Sequence, residues 1–249
     1  MILAIDIGNT RTKIAKFENN RFSETLFFDD EKKVDFFLKK ISTEHEKLQI
    51  ILSSVGKINE ETFNWLKQNT NLIVISHKSS FPFKNLYATP NTLGIDRMVL
   101  AAGSVMQFPK ENRLVIDAGT CITYDFINNN DEYLGGAISP GLMLRYKSLN
   151  DYTEKLPLLH PEDIDYLIGD QTTNAIHSGI INGVTTEIDG VIAEYQKKYP
   201  QLTVILTGGD TLFLAKRLKN VIFANSNFLL ESMNSLYQYI IENDKKNLP

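Results

Sequence analysis

One pattern of apolar and polar residues occurs twice in this chain, and it restricts the fold more than any other feature. Residues 3–14 read LAIDIGNTRTKI, and residues 114–125 read LVIDAGTCITYD. In both copies an apolar run ends at an Asp, a Gly follows two residues later, and a new run begins after a short turn. A repeat at such long separation is typical of two related domains and not of a solenoid.

Each copy opens a similar series of predicted elements, in which three strands are followed by alternating helices and strands. The longer helices are predicted at 31–42, 59–69, 91–106, 172–198 and 227–243. Nearly all-apolar runs at 48–55 and 71–76 predict buried strands. We therefore expect an α/β protein with two domains, residues 1–112 and 113–249, each with a mixed β-sheet flanked by helices, and a cleft between the domains.

Charge and cysteine content argue against several classes of protein. The chain carries 26 basic and 30 acidic residues, a net charge of −4, without the clustered basic residues that nucleic-acid binding requires. No apolar run reaches the length of a membrane span. Cys121 is the single cysteine, so no disulfide forms within the chain. We therefore expect a cytoplasmic protein with neither nucleic-acid nor membrane partners, in which Cys121 is a small packed side chain.

The polar turn of the first copy has the composition of a loop that holds the phosphates of ATP. Gly8 lets a ligand approach the main chain closely, and amide groups there can donate hydrogen bonds to phosphate oxygens. The side chains that add donors or positive charge are Asn9, Thr10, Arg11, Thr12 and Lys13. A bare Asp6 would repel a triphosphate, so it implies a bridging cation, most plausibly hydrated Mg²⁺, or a bound water.

The same reasoning applies to Asp117 in the second copy of the pattern. An ordinary turn at each place is the alternative interpretation, because Asp-x-Gly is also common turn chemistry. Ordinary turns have no reason to match each other, so the second copy favours phosphate binding. The stretch TGGD at 207–210 has two possible interpretations. It can be a surface that packs on the adenine or ribose, or a tight strand-to-helix turn.

A further polar site occurs at the start of an otherwise apolar predicted helix, in the stretch GIDRM at 94–98. A hydroxyl that accepts a phosphoryl group needs a carboxylate that orients it or takes its proton, and Asp96 suits that role. Arg97 offers a bidentate fork to an acceptor that itself carries a carboxylate. The pair is equally consistent with an acid at a helix N-terminus and a surface salt bridge.

In their order along the chain, these motifs resemble those of the type III pantothenate kinases, a family of the acetate and sugar kinase/Hsp70/actin superfamily. The stretch DIGNT alone indicates only the superfamily, whereas YATPNTLGIDR (87–97) and LGGAISPGL (134–142) single out the family. The other matching stretches are DIGNTRTK (6–13), SSV (53–55), DAGTCITYD (117–125), YTEKLP (152–157), TTNAIHSG (172–179) and TGGD (207–210). The resemblance covers nearly the whole chain and implies two ribonuclease H-like domains.

The resemblance also implies roles for the matching residues. Those implied to contact ATP are Asp6, Ile7, Gly8, Asn9, Thr10, Arg11, Thr12, Lys13 and Thr120. Those implied to contact the acceptor are Tyr87, Gly94, Ile95, Asp96, Arg97 and Thr172. Asp96 is implied to be the catalytic base, Arg97 the partner of the acceptor carboxylate, and Asp117 the ligand of a monovalent cation, K⁺ or NH₄⁺. Thr172, or its neighbour Thr173, is implied to reach the acceptor across a homodimer interface.

The reaction implied by the resemblance is the transfer of phosphate from ATP to pantothenate, with Mg²⁺, giving 4′-phosphopantothenate at the start of coenzyme A biosynthesis. One alternative is another small-molecule kinase of the superfamily, such as a sugar kinase with a different acceptor pocket. A second alternative is a non-catalytic transcriptional accessory protein on the same fold. The presence of Asp6, Asp96, Arg97 and Asp117 argues against an inactive enzyme.

Overall fold

The computed structural model of the chain describes residues 1–8, 11–45, 48–54, 59–220 and 222–246. The chain divides into two compact units. The first consists of residues 1–107 together with 228–249, and the second of residues 108–227.

The first unit is built on a five-stranded sheet with the strand order β3-β2-β1-β4-β5. Its strands are β1 (Ile2–Ile7), β2 (Thr12–Glu18), β3 (Arg21–Phe28), β4 (Gln49–Ser54) and β5 (Asn71–Val74). Strands β1, β2 and β3 are antiparallel neighbours, whereas β4 runs parallel to β1 and β5 parallel to β4. The remaining elements are α1 (Glu31–Glu44), α2 (Glu60–Asn69), the short strand β6 (Lys84–Asn85), α3 (Ile95–Gln107) and, from the end of the chain, α7 (Phe228–Lys246).

The two faces of this sheet carry different side chains because residues alternate along each strand. Leu3 and Ile5 of β1 join Val34 and Leu38 of α1 in one apolar core. Asp6 points to the opposite face, on which α7 packs against β1, β2 and β4, and α3 packs against β4. Asp6, near the end of β1, therefore lies on the face of the sheet that is covered by the helix layer of α3 and α7.

The five strands within the second unit repeat this topology, in the order β9-β8-β7-β10-β11. Its strands are β7 (Asn112–Ala118), β8 (Cys121–Ile127), β9 (Glu132–Pro140), β10 (Leu202–Thr207) and β11 (Phe223–Ala224). Again the first three strands are antiparallel and the last two are added in parallel. The helices are α4 (Leu142–Asp151), α5 (Thr172–Lys198) and α6 (Thr211–Ala215). The expected fold class, two mixed sheets flanked by helices, is confirmed.

Helix α5 supplies much of the second unit's core, through Ile181, Val184 and Ile188 packed against side chains of β7 and β8. Even this helix is not apolar enough to cross a membrane, and the same holds for the other helices in the described ranges.

Two features differ from the expected arrangement. The last helix was expected in the domain of residues 113–249, but α7 belongs to the first unit because it packs along α3 and β1. At that crossing a Cβ on Gly103 would lie 1.8 Å from the Ser232 hydroxyl, so only glycine lets the helices approach this closely. The helix expected from residue 91 begins at Ile95 instead, because Leu93 is extended after the short 3-10 turn Pro90–Thr92.

Candidate active site

Asp6 occupies the centre of the candidate site in the first unit. In the sheet it is paired directly with Lys13 on β2 and with Ser53 on β4, so the three side chains share one face. Only 6% of Asp6 is exposed, and this burial raises its pKa to about 6. The charge of Lys13 lowers that pKa and the charge of Asp96 raises it. The structure therefore brings Asp6 and Asp96, two predicted site residues that are distant in sequence, within electrostatic reach of each other.

Asp96 is placed by the first turn of α3, where acidic side chains are favoured by the helix dipole. Its Oδ1 accepts a hydrogen bond of 2.8 Å from the Arg97 main-chain amide. A Cβ on Gly94 would lie 2.3 Å from the same oxygen, so the glycine makes room for the carboxylate. Arg97 itself is buried, and Tyr87 is half-buried in the segment between β6 and α3.

Asp6 is within electrostatic reach of one lysine, Lys13, and of a second carboxylate, Asp96, so the three groups carry a surplus of negative charge when both carboxylates are ionised. Such a site attracts a cation or retains a proton. Both outcomes suit phosphoryl transfer, in which a metal offsets phosphate charge and a carboxylate handles the hydroxyl proton.

The loop after β1 closes through a 3.2 Å hydrogen bond from the Gly8 amide to the Arg11 carbonyl. Arg11 lies over the ring of Phe27 and 3.7 Å from a carboxylate oxygen of Asp29. The side chain of Ile7 belongs to the apolar core, so only its main chain is available to a nucleotide. Two residues predicted to bind phosphate, Asn9 and Thr10, lie outside the described residues. Thr12 begins β2 and is half-buried.

The second copy of the pattern forms the corresponding turn in the second unit. The Gly119 amide donates to the Cys121 carbonyl over 2.9 Å, and Thr120 is exposed. Cys121 is exposed as well, so the expectation that it is packed was wrong, because its side chain stands at the first, open position of β8. Ala118, by contrast, is fully buried.

The TGGD stretch lies directly against Asp117. Gly208 has φ +98°, and a Cβ there would lie 2.4 Å from Asp117 Oδ1. The Asp210 amide donates to the Ala118 carbonyl over 3.0 Å, and burial raises the pKa of the Asp210 carboxyl. The stretch is thus a tight strand-to-helix turn, and the turn also shapes the surroundings of Asp117.

The atoms around Asp117 that could coordinate a cation show whether an ion would fit there. Among the described residues no three His, Cys, Asp or Glu side chains converge on one point, so the side chains alone form no metal cage. Carboxylate and main-chain oxygens are hard donors that suit Mg²⁺ or an alkali ion. The residues present therefore fit a cation that completes its coordination with phosphate oxygens and water.

Thr172 begins α5 and is exposed, whereas Thr173 is half-buried. A groove of about 610 Å³ runs beside it, lined among others by Arg145, Ala175 and Gly179. The Arg145 guanidinium is held there by Glu187 over 2.6 Å. No local pattern in the sequence marks Arg145, because its partner Glu187 lies 42 residues away.

Ser53 is a second residue that the sequence analysis did not assign to the site. Its motif, SSV, is one of the stretches that match the family, but the sequence assigns the motif no role. Val55 lies outside the described residues. The available signal was its place near the end of a buried parallel strand, which is where side chains from neighbouring strands converge.

Comparison with known proteins identifies relatives over the full length of the chain. The sequence profile of one family, described as Type III pantothenate kinase, matches residues 2–194. A Type III pantothenate kinase of Flavobacterium johnsoniae is 54% identical over 98% of this chain and 100% of its own length. One from Bacteroides fragilis is 40% identical over 96% of this chain and 98% of its own length.

Among solved structures, a Campylobacter jejuni protein classed with the Baf family of transcriptional activators superposes with a TM-score of 0.62. It is 24% identical, and the match covers 98% of this chain and 99% of that protein. A Listeria monocytogenes protein classed as an N-acetylmannosamine kinase gives a TM-score of 0.54 at 13% identity, over 97% and 99% of the two chains. Both likenesses concern the fold alone.

Proposed function

The chain belongs to the type III pantothenate kinase family, and from that premise we propose how its own side chains carry the family's reaction. The reaction is the ATP-dependent phosphorylation of pantothenate in coenzyme A biosynthesis. We take the two compact units as the two ribonuclease H-like domains. The observation that carries the assignment of roles is the pairing of Asp6 with Lys13 in the first sheet, within electrostatic reach of Asp96 on α3.

The first loop is proposed to hold the phosphates of ATP. Lys13 supplies positive charge beside Asp6, and Gly8 lets a phosphate approach the main chain closely. A divalent cation, when bound, offsets phosphate charge that Asp6 would otherwise repel. The half-buried Thr12 and the exposed Arg11 guanidinium are proposed to complete the contacts to the triphosphate.

Asp96 is proposed as the catalytic base that orients the pantothenate hydroxyl and accepts its proton. Its carboxylate is held at one oxygen by the Arg97 amide, which leaves the other oxygen for the substrate. The guanidinium of Arg97 is proposed to pair with the pantothenate carboxylate, since Arg forms bidentate contacts with such groups. Gly94, Ile95 and Tyr87 are proposed to form the wall of the acceptor pocket.

In the second unit, Asp117 is proposed to bind a monovalent cation, K⁺ or NH₄⁺, with Thr120 as a contact to ATP. The support is that Asp117 Oδ1 and the Ala118 carbonyl oxygen lie together against Gly208. A monovalent cation at this carboxylate would add positive charge near the triphosphate without a further divalent ion.

A homodimer is proposed, in which Thr172 contributes to the acceptor pocket of a second copy. The support is the exposed face of α5 over residues 172–190, ahead of Glu194 and Lys197, where every exposed residue is small: Thr172, Ala175, Gly179, Gly183, Thr186 and Gly190. At Gly179, Gly183 and Gly190 a Cβ would meet nothing within 4 Å. A helix face without bulk allows another helix to approach closely, and Thr172 lies on the same face.

The test of the proposed function is a coupled kinase assay with pantothenate and a panel of sugars as acceptors. We expect pantothenate to be phosphorylated and none of the sugars. Phosphorylation of a sugar but not of pantothenate would favour the sugar kinase alternative. The transcriptional alternative has no support beyond fold likeness at 24% identity. The proposed location is the cytoplasm, which the single cysteine fits.

A further inference from the structure

The motif SSV contains a buried hydroxyl to which the proposed roles give no function. Ser53 is fully buried, and its hydroxyl has no hydrogen-bond partner among the residues that the structure describes. An unpaired buried hydroxyl costs free energy, so in a native protein such a group calls for a physical explanation.

Ser53 lies beside Asp6 in the sheet. The register pairs Asp6 with Ser53 on the parallel strand β4 and with Lys13 on the antiparallel strand β2. Neighbouring strands lie about 4.8 Å apart, and directly paired residues point to the same face. The hydroxyl, the carboxylate and the ammonium therefore form one row across the sheet, on the face over which α3 packs.

A carboxylate as buried as Asp6 needs hydrogen-bond donors when it is ionised. Lys13 stands on one side of it, and the Ser53 hydroxyl stands on the other with its proton uncommitted. A serine hydroxyl has three staggered positions about one torsion, so it can change direction without a movement of the main chain.

We propose that Ser53 is a positioning residue for phosphoryl transfer, whose hydroxyl donates to the Asp6 carboxylate when the Mg²⁺–nucleotide binds. The hydrogen bond fixes one carboxylate oxygen, so that the other faces the cation or its bound water. The inference rests on the proposed function and deepens it at the first phosphate loop. Groups that orient a carboxylate toward a metal change affinity by about 10- to 100-fold when they are removed.

Calorimetric titration with Mg²⁺–ADP compares the wild-type protein with Ser53→Ala. We expect affinity to fall about tenfold, whereas titration with ADP in EDTA should give equal affinities for the two proteins. In steady-state assays the KM for Mg²⁺–ATP should rise and the KM for pantothenate should not. The unfolding free energy should be unchanged or higher, because the substitution breaks no hydrogen bond in the nucleotide-free protein.

Ser232→Ala is the matched control, because Ser232 of α7 is also buried with an unpartnered hydroxyl but lies against Gly103. It should bind Mg²⁺–ADP as the wild type does. In the Asp6→Asn background, Ser53→Ala should cause no further loss, since the two side chains act as a unit.

The outcomes separate the inference from the function on which it rests. If the wild type binds Mg²⁺–ADP and Ser53→Ala binds it equally well, the inference fails and the kinase assignment stands. An equal loss in Ser232→Ala, or an additive loss in the double variant, would also overturn it, since either result indicates a general packing effect. A wild-type protein that does not bind Mg²⁺–ADP would remove both.

Discussion

Asp6→Asn is expected to make the protein more stable and catalytically inactive at the same time. Burial raises the pKa of Asp6 from 3.8 to about 6, so the folded protein holds this proton more tightly than the unfolded chain does. Stability therefore falls as the pH rises from about 4 to 6, and the full cost of the buried charge is present above that window.

The magnitude follows from the size of the pKa shift. Each pKa unit is worth about 1.4 kcal/mol, so a rise of about two units corresponds to about 3 kcal/mol at neutral pH. At about pH 5, midway through the window, the cost is about 1.5 kcal/mol. Asn has nearly the same shape without the charge. The stability gained by Asp6→Asn should therefore grow from about 0.5 kcal/mol at about pH 4 to as much as about 3 kcal/mol at about pH 7.5.

Urea unfolding across this pH range, without nucleotide or added metal, measures the difference directly. The single tryptophan, Trp65, lies on α2 of the same unit, so its fluorescence reports the unit that contains Asp6. Asp29→Asn, which removes a carboxylate whose side chain is 80% exposed, controls for the change in net charge. A gain that does not depend on pH, or no gain at all, would refute the placement of Asp6 as a buried, desolvated carboxylate.

The other predictions concern the acceptor, the cation and the dimer. Asp96→Asn should lower kcat at least 100-fold while Mg²⁺–ATP still binds, which kinetics and calorimetry measure together; unchanged turnover would exclude Asp96 as the base. Gly94→Ala should lower kcat about tenfold or more, with a smaller effect on stability, because the new methyl group displaces the Asp96 carboxylate. Replacing K⁺ and NH₄⁺ by Na⁺ should sharply reduce the rate, and equal rates would contradict a selective cation at Asp117. Gly183→Leu should convert a dimer to monomers in sedimentation, although it raises the helix propensity at that position by about 0.8 kcal/mol. A variant that stays folded and dimeric would argue against the α5 interface. Gln201→Leu, at another exposed position, is the control.

The sequence by itself determined the two-unit plan and the elements that carry the site. Alternation and apolar runs predicted the strands closely, because a strand buried on one or both faces leaves its pattern in consecutive residues. The repeat at 3–14 and 114–125 predicted a duplicated topology, and the five strands within residues 108–227 have the same order as the five strands of the first sheet. The polar turn after β1 and the Asp96–Arg97 pair were visible because the residues of each are adjacent in the chain.

Only the tertiary structure decided which of these residues meet. The pKa of Asp6 depends on its burial, on the face of β1 that α7 covers, and on the charge of Asp96, neither of which is a local property of residues 1–18. The return of α7 to the first unit depends on the close crossing at Gly103, which is a contact between distant parts of the chain. The neighbour of Asp6 across β4 is set by the register of a parallel pair. That register depends on how the connection between the two parallel strands packs on the sheet. No local sequence pattern specifies it.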